Sequence, residues 1–372
     1  MKITYPQWRL SRFAHFTLIC LCFMWIGAAT FADAKTQSTI TPAAIPQHNS
    51  VILLYHHVSD STPKSTSVTP EVFAQHMAYL SNHHTVIPLT KAIDALQQGT
   101  PLPENSVVIT FDDGYANILH NAHPILAKYG FPYTVFINPQ EIGSNAQQLT
   151  WEQVTAMHND GVTFANHTLD HIHMLDNQHA GGDWLTRVWE NVVAAEASIA
   201  SHIGQSHQYL AYPFGEFNSA LANKVNAEGY IGFGQHSGAI GPYSDFRALP
   251  RFPAAGPYAK LSTLKTKLNS LAMPVVDNSI TNPEMRSNPK GVSATLKISG
   301  NDVNLAQANC FFGSQTLVTH TSKTQLSFTL DTPLPVGRSR VNCTAPSFAH
   351  PGRYYWYSQP FFVANEKGEY PN

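Results

Sequence analysis

Charge is scarce in this 372-residue chain: Asp, Glu, Lys and Arg together make up 12% of it, and the formal net charge is −2. Without a basic surplus there is little to neutralise a run of phosphates, which argues against nucleic acid as the main partner. Disorder is excluded as well, since 43% hydrophobic and 11% aromatic residues are the composition of a chain that buries a core. Cysteine is rare, with four residues in all. Histidine is not: the chain has 19. At roughly 150 residues per domain, the length predicts two domains, one of them large.

The first 34 residues read as an export signal rather than as part of the fold. Lys2, Arg9 and Arg12 form a positive start, Phe16–Ala29 an apolar stretch, and Ala32-Asp33-Ala34 a small-x-small cleavage site before Lys35. The apolar stretch is shorter than the ~20 residues that span a bilayer, so a cleaved signal is favoured over an uncleaved anchor. No lipid-attachment pattern precedes Cys20 or Cys22. The mature chain is therefore expected in the periplasm or outside the cell, with no stable membrane span. It keeps only Cys310 and Cys343, and an oxidising compartment predicts one disulfide between them.

Residues 35–50 lack apolar periodicity and read as a flexible lead-in. From Val51 onward strands and helices alternate. Strands are predicted at 51–55, 86–89, 107–111, 133–137, 162–166, 209–212 and 230–234. Helices are predicted at 70–81, 90–98, 116–129, 151–159, 185–203 and 219–228. Such alternation gives a parallel sheet or barrel with functional residues at the C-terminal ends of its strands. Residues 51–277 are assigned to this α/β unit and 278–290, rich in Asn, Pro and Ser, to a linker. Residues 291–366 show short alternating segments and no useful helix signal, which predicts a small all-β, sandwich-like domain. Tyr354-Tyr355-Trp356-Tyr357 within it is expected to pack inward, with a sugar-binding face as the alternative.

Two stretches carry chemistry. Val107–Tyr115 is an apolar strand that stops at Asp112-Asp113-Gly114, and adjacent carboxylates call for a cation or a shared proton. Asn166-His167-Thr168-Leu169-Asp170-His171 then places two histidines four apart past another strand end. Two imidazoles and one carboxylate make an open three-ligand metal site, with room for water and substrate. His173 is a rival ligand.

Thr110–Tyr115, His167–His171 and Tyr212-Pro213-Phe214-Gly215 resemble, in order and spacing, the first three motifs of the polysaccharide deacetylase (NodB homology, carbohydrate esterase 4) family. Tyr55-His56-His57-Val58 looks most like the exported branch that acts on poly-N-acetylglucosamine. The resemblance runs from about Val51 to Leu268. It implies a deformed (β/α) barrel and a divalent metal, zinc above others, on Asp113, His167 and His171. Asp112 would be the general base, and the Phe214 N–H a donor to the developing oxyanion. His56, Tyr212 and Pro213 would lie beside an N-acetylated polysaccharide or oligosaccharide.

The chain also departs from the pattern. Ala211 stands where the third motif begins with Arg, and no Asp-Trp fourth motif or Leu-x-His fifth motif is found. Arg251, in Leu249-Pro250-Arg251-Phe252, is the candidate to orient Asp112, and His236 the candidate acid. These departures keep two other readings open: a non-catalytic carbohydrate-binding protein on the same fold, and a deacylase of small amides or O-acetyl esters. The sequence does not specify an oligomeric state.

Overall fold

A computed structural model describes residues 48–176, 178, 182–285 and 291–371. The predicted signal, nearly all of the lead-in and residues 286–290 of the predicted linker lie outside the described residues.

Six parallel strands follow one another in space as in sequence: β1 (Ser50–Tyr55), β2 (Ser106–Phe111), β3 (Thr134–Ile137), β4 (Thr163–Asn166), β5 (Tyr209–Ala211) and β6 (Ile231–Phe233). Every residue of β1 and β2 is buried, as expected of strands covered on both faces. The curled sheet is bridged by a short segment the sequence did not mark as extended. Leu249 pairs with Phe233 of β6, while Phe252-Pro253 pairs with Leu53-Leu54 of β1. Arg251 lies between these contacts and is thereby directed into the interior.

Helices on the outside start and stop where local chemistry says they should. Thr69 caps Pro70–His83, and Thr150 and Gln153 form a capping box on Trp151–Asn159. Gly99, Gly130 and Gly204 end three others in the left-handed conformation. The long helix Trp184–Ile203 buries Val188, Trp189, Val192, Ala195 and Ile199, the apolar face read from the sequence. Two expectations shift. Leu89 starts a helix instead of ending a strand, and the helix predicted over 116–129 is a π-helical turn, Ile118–Ala122, followed by His123–Tyr129. Pro124 lacks an N–H and cannot continue the regular hydrogen-bond ladder across that join.

The C-terminal part forms two further sheets around one apolar core that includes Leu296, Phe328, Val341, Cys343 and Phe361. The strand β7 (Val292–Ile298) alternates buried and exposed residues throughout. In the other sheet β8 (Gly337–Pro346) pairs antiparallel with β9 (Tyr354–Val363). Cys310 sits opposite Cys343 in register, and the two are joined by a disulfide. The aromatic run in β9 is divided between two surfaces. Tyr355 and Tyr357 pack on the sandwich core, whereas Trp356 meets Phe252 of the barrel edge to face at 5.2 Å.

Candidate active site

Four strand ends converge. β1 delivers His56, β2 delivers Asp112 and Asp113, β4 delivers His167, and β5 runs into Tyr212–Gly215. The backbone leaves these strands abruptly: Asp113, Thr168, His171 and Phe214 all adopt positive φ, from 57° to 74°. Non-glycine residues rarely do so, and such strain collects where a structure must aim side chains. Gly114 is required twice over, since its φ is 70° and a Cβ there would stand 3.0 Å from Ile137 Cγ2. Asn166 and Asn138 hold the second turn. Asn166 Oδ1 accepts from the Thr168 N–H, and Asn138 Nδ2 donates to the carbonyls of His167 and Thr168.

His167 Nε2 and His171 Nε2 lie 3.2 and 3.3 Å from Asp113 Oδ1. The tautomer of His167 is set from behind, because its Nδ1 is 2.7 Å from the Ala211 carbonyl and must donate to it. In the neutral imidazole, Nε2 therefore points a lone pair at a carboxylate oxygen. Neither atom has a hydrogen-bond partner, and both are buried. Two facing acceptors without a proton between them fit a cation, and the three ligand atoms lie within 4.8 Å of one another. The site residues fit a divalent ion.

Asp112 is differently placed. It is fully buried, and Arg251 grips it from two sides, with Nη1 2.7 Å from Oδ1 and Nη2 2.7 Å from Oδ2. Burial pushes the Asp112 carboxyl up, but it is held below the usual carboxylate range, foremost by the charge of Arg251, which also hydrogen-bonds it. Arg251 Nε also donates to the Gly234 carbonyl, fixing the fork. The predicted pairing of Arg251 with Asp112 is present in the geometry.

The other candidates divide. His56 lies within electrostatic reach of Asp112, Asp113, Arg251 and His167, and it lines the same cleft as Asp113 and His171. His236 also borders that cleft, but its charged neighbours are Arg340, Asp245 and Arg251, and its buried Nδ1 has no partner. Burial, followed by Arg340, lowers its pKa to about 4, so it is uncharged at neutral pH. Tyr212 and Pro213 are buried, with the Tyr212 hydroxyl donating to the Arg247 carbonyl, so they shape the turn and do not face the cleft. His173 turns away from the three ligand atoms. Its Nδ1 meets both carboxylate oxygens of Glu216 at 3.1 and 3.2 Å, and its ring stacks on Phe214 at 3.8 Å.

The cleft is about 600 Å³ in volume, and part of its wall comes from the C-terminal sheet: Arg338, Ser339, Arg340, Pro360 and Phe362. Arg338 Nη1 donates to the Phe214 carbonyl at 2.6 Å and to Gln235 Oε1 at 3.0 Å, so a residue 124 positions away clamps the third-motif turn. No motif announces this residue. The only sequence signal is the i, i+2 spacing of Arg338 and Arg340 on one face of a strand.

The model of the polysaccharide deacetylase family matches residues 99–232. The chain belongs to the polysaccharide deacetylase family. The protein YxkH of Bacillus subtilis is 30% identical over 207 residues, covering 54% of this chain and 66% of that relative. A poly-beta-1,6-N-acetyl-D-glucosamine N-deacetylase of Staphylococcus aureus is 27% identical over 215 residues, covering 53% of this chain and 71% of its own length. Among solved structures, the Streptococcus pyogenes deacetylase PplD in complex with acetate superimposes with a TM-score of 0.53 at 23% identity, over 59% of this chain and 98% of that one. IcaB from Ammonifex degensii gives 0.53 at 22% identity, over 60% and 98%. These two likenesses establish the barrel fold. The family match ends before β8 and β9, so the wall they supply lies outside it.

Proposed function

We propose that this protein is an exported, metal-dependent hydrolase that removes N-acetyl groups from N-acetylglucosamine-containing polysaccharide or oligosaccharide. The observation that carries the reading is the pair of partnerless buried acceptors, Asp113 Oδ1 and His167 Nε2, set beside an aspartate that Arg251 already neutralises. Asp113, His167 and His171 would hold the ion, zinc above others, which when bound polarises an amide carbonyl and acidifies water. Asp112 accepts the proton of the attacking water as the new C–O bond forms, and Arg251 keeps its carboxylate ionised and aimed. The turn's own backbone bonds use the N–H groups of Gly215 and Glu216, which leaves the Phe214 N–H for the developing oxyanion. As the C–N bond breaks, the departing amine needs a proton. Burial lowers the pKa of both His56 and His236, but the two aspartates beside His56 oppose that, so His56 is the better placed of the two to carry the proton. Export is supported by the leader-like first 34 residues and by the disulfide; among the described residues no helix is long and apolar enough to cross a membrane.

The test is acetate release from an N-acetylglucosamine oligomer, with and without chelator, by the natural chain and by Asp112→Asn. The asparagine keeps the shape of the site but cannot take a proton, so turnover should fall by roughly 10²–10⁴ while the metal content stays. Acetate release by Asp112→Asn at the rate of the natural chain refutes the base assignment. No acetate from the metal-loaded natural chain favours a binding protein on the same fold.

A further inference from the structure

The cleft wall formed by β8 and β9 carries an arginine for which the hydrolytic chemistry has no use. Val341, Cys343 and Ala345 of β8 enter the sandwich core, so Arg338 and Arg340 project from the opposite face, which is turned to the barrel. In register with them stand Phe362 and Pro360 of β9, which also border the cleft. Arg338 is engaged with the Phe214 carbonyl and Gln235. Among the described residues, no carboxylate forms an ion pair with Arg340.

The surroundings of Arg340 make this unusual. Its charge bears on His236 and on the buried Lys267, both bases. The carboxylates within the cleft region are committed elsewhere. Asp112 belongs to Arg251, Asp113 to the ligand cluster, and Glu216 is buried against His173 behind the Phe214 ring. A half-buried guanidinium with no internal anion presents a planar fork to whatever fills the cleft, and the group that matches a fork is a carboxylate. A plain N-acetylhexosamine polymer is neutral and offers none.

Resting on the proposed deacetylase reading, we infer that Arg340 is a specificity residue that pairs with a carboxylate on a sugar neighbouring the N-acetylhexosamine under attack, so the preferred substrate is an acidic, N-acetylated heteropolymer. The same charge disfavours a neighbouring glucosaminium, the cationic product, so segments already deacetylated bind less well.

Two oligosaccharides differing in one group test this: an oligomer alternating N-acetylhexosamine with a uronic acid, and the same oligomer with its carboxyl reduced to an alcohol. The natural chain should show a kcat/KM for acetate release about 10-fold or more higher on the acidic oligomer, the scale of one charge-assisted pair, and added salt should narrow the gap. In Arg340→Gln the ratio should fall towards one, and Arg340→Lys should retain part of it. Equal rates on the two oligomers by the natural chain, or an unchanged ratio in Arg340→Gln, overturns the inference. Equilibrium binding of both oligomers to the natural chain and to Arg340→Gln keeps the two readings apart. Preferential binding that depends on Arg340 without any acetate release would sink the hydrolase reading and leave the carboxylate site standing. Release of acetate with no binding preference would do the reverse.

Discussion

Breaking the Arg251–Asp112 pair should damage folding as much as chemistry. Both side chains are completely buried, and two contacts of 2.7 Å join them. Arg251→Met roughly preserves volume but leaves a carboxylate in the interior with no counter-charge, and removing one partner of such a pair costs about 3–5 kcal/mol. At about 2–4 °C per kcal/mol for a unit of roughly 200 residues, about the size of the barrel part, the unfolding midpoint should drop by on the order of 10 °C. Asp112→Asn should also destabilise, since it leaves the guanidinium without its anion. The double variant removes both charges, so its loss should fall short of the sum of the singles by at least ~2 kcal/mol. Urea unfolding in the presence of chelator, which removes metal linkage from the comparison, measures that coupling. Arg251→Lys sharpens the test: an ammonium supplies charge but cannot grip both oxygens, so part of the stability should return while turnover stays low. A coupling energy below ~0.5 kcal/mol, in the range of additive sites, would refute the claim that the two residues act as a unit.

Three further outcomes follow from the geometry. Arg338→Ala frees the Phe214 carbonyl, so kcat for acetate release should fall about 10-fold, the worth of one charged hydrogen bond, with KM and metal content little changed and partial rescue by lysine; an unchanged kcat defeats the clamp. Cys310→Ser with Cys343→Ser opens a loop of 33 residues and should cost roughly 3–4 kcal/mol in urea unfolding, whereas a loss under ~1 kcal/mol would contradict the chain-entropy account. Burial, with help from Asp176 and against Arg338, pushes the Glu216 carboxyl up to about 8, so its contribution to stability is complete below the unfolded value near 4.5 and is lost as pH rises through 8. Unfolding midpoints of Glu216→Gln should therefore fall less between pH 5 and pH 9 than those of the natural chain, and parallel profiles would contradict this.

What the sequence discloses of this molecule is what lies close together along it. Asp112-Asp113-Gly114 and His167–His171 are each a few residues long and directly follow strands, so both position and chemistry can be read directly. Arg251 could be proposed because the family pattern calls for an arginine beside the base and Ala211 does not supply it, although the segment next to it is too short to show a period of two. Tyr212 and His236 were harder. Each stands next to a strand end, but whether a side chain there turns to the cleft or to the interior depends on neighbours such as the Arg247 carbonyl and Arg340, which no local pattern reveals. The wall formed by β8 and β9 was least legible of all, because its contact with Phe214 spans 124 positions.

That distant contact bears on how the site is kept in shape. Phe214 holds a φ of 58°, a conformation costing a non-glycine residue about 1–2 kcal/mol, and only surrounding contacts can maintain it. Within the barrel, a Cβ at Gly215 would stand 2.8 Å from Gln235, so only glycine lets the turn lie this close to it, and the Phe214 ring lies against both His171 and His173. From the C-terminal sheet, Arg338 binds the Phe214 carbonyl and Gln235 together, Ser358 Oγ donates to the Ser237 carbonyl, and Trp356 packs on Phe252 next to Arg251. The sheet thus touches both departures from the family pattern, the loop that holds His236 and the segment that supplies Arg251. Arg251 directly precedes the two-residue strand Phe252–Pro253, which pairs with β1, and Phe252 also meets Trp356 of the C-terminal sheet. The packing of Trp356 on Phe252 adds to the support from β1, so in the proposed hydrolase the C-terminal sheet would help to hold the arginine that grips Asp112.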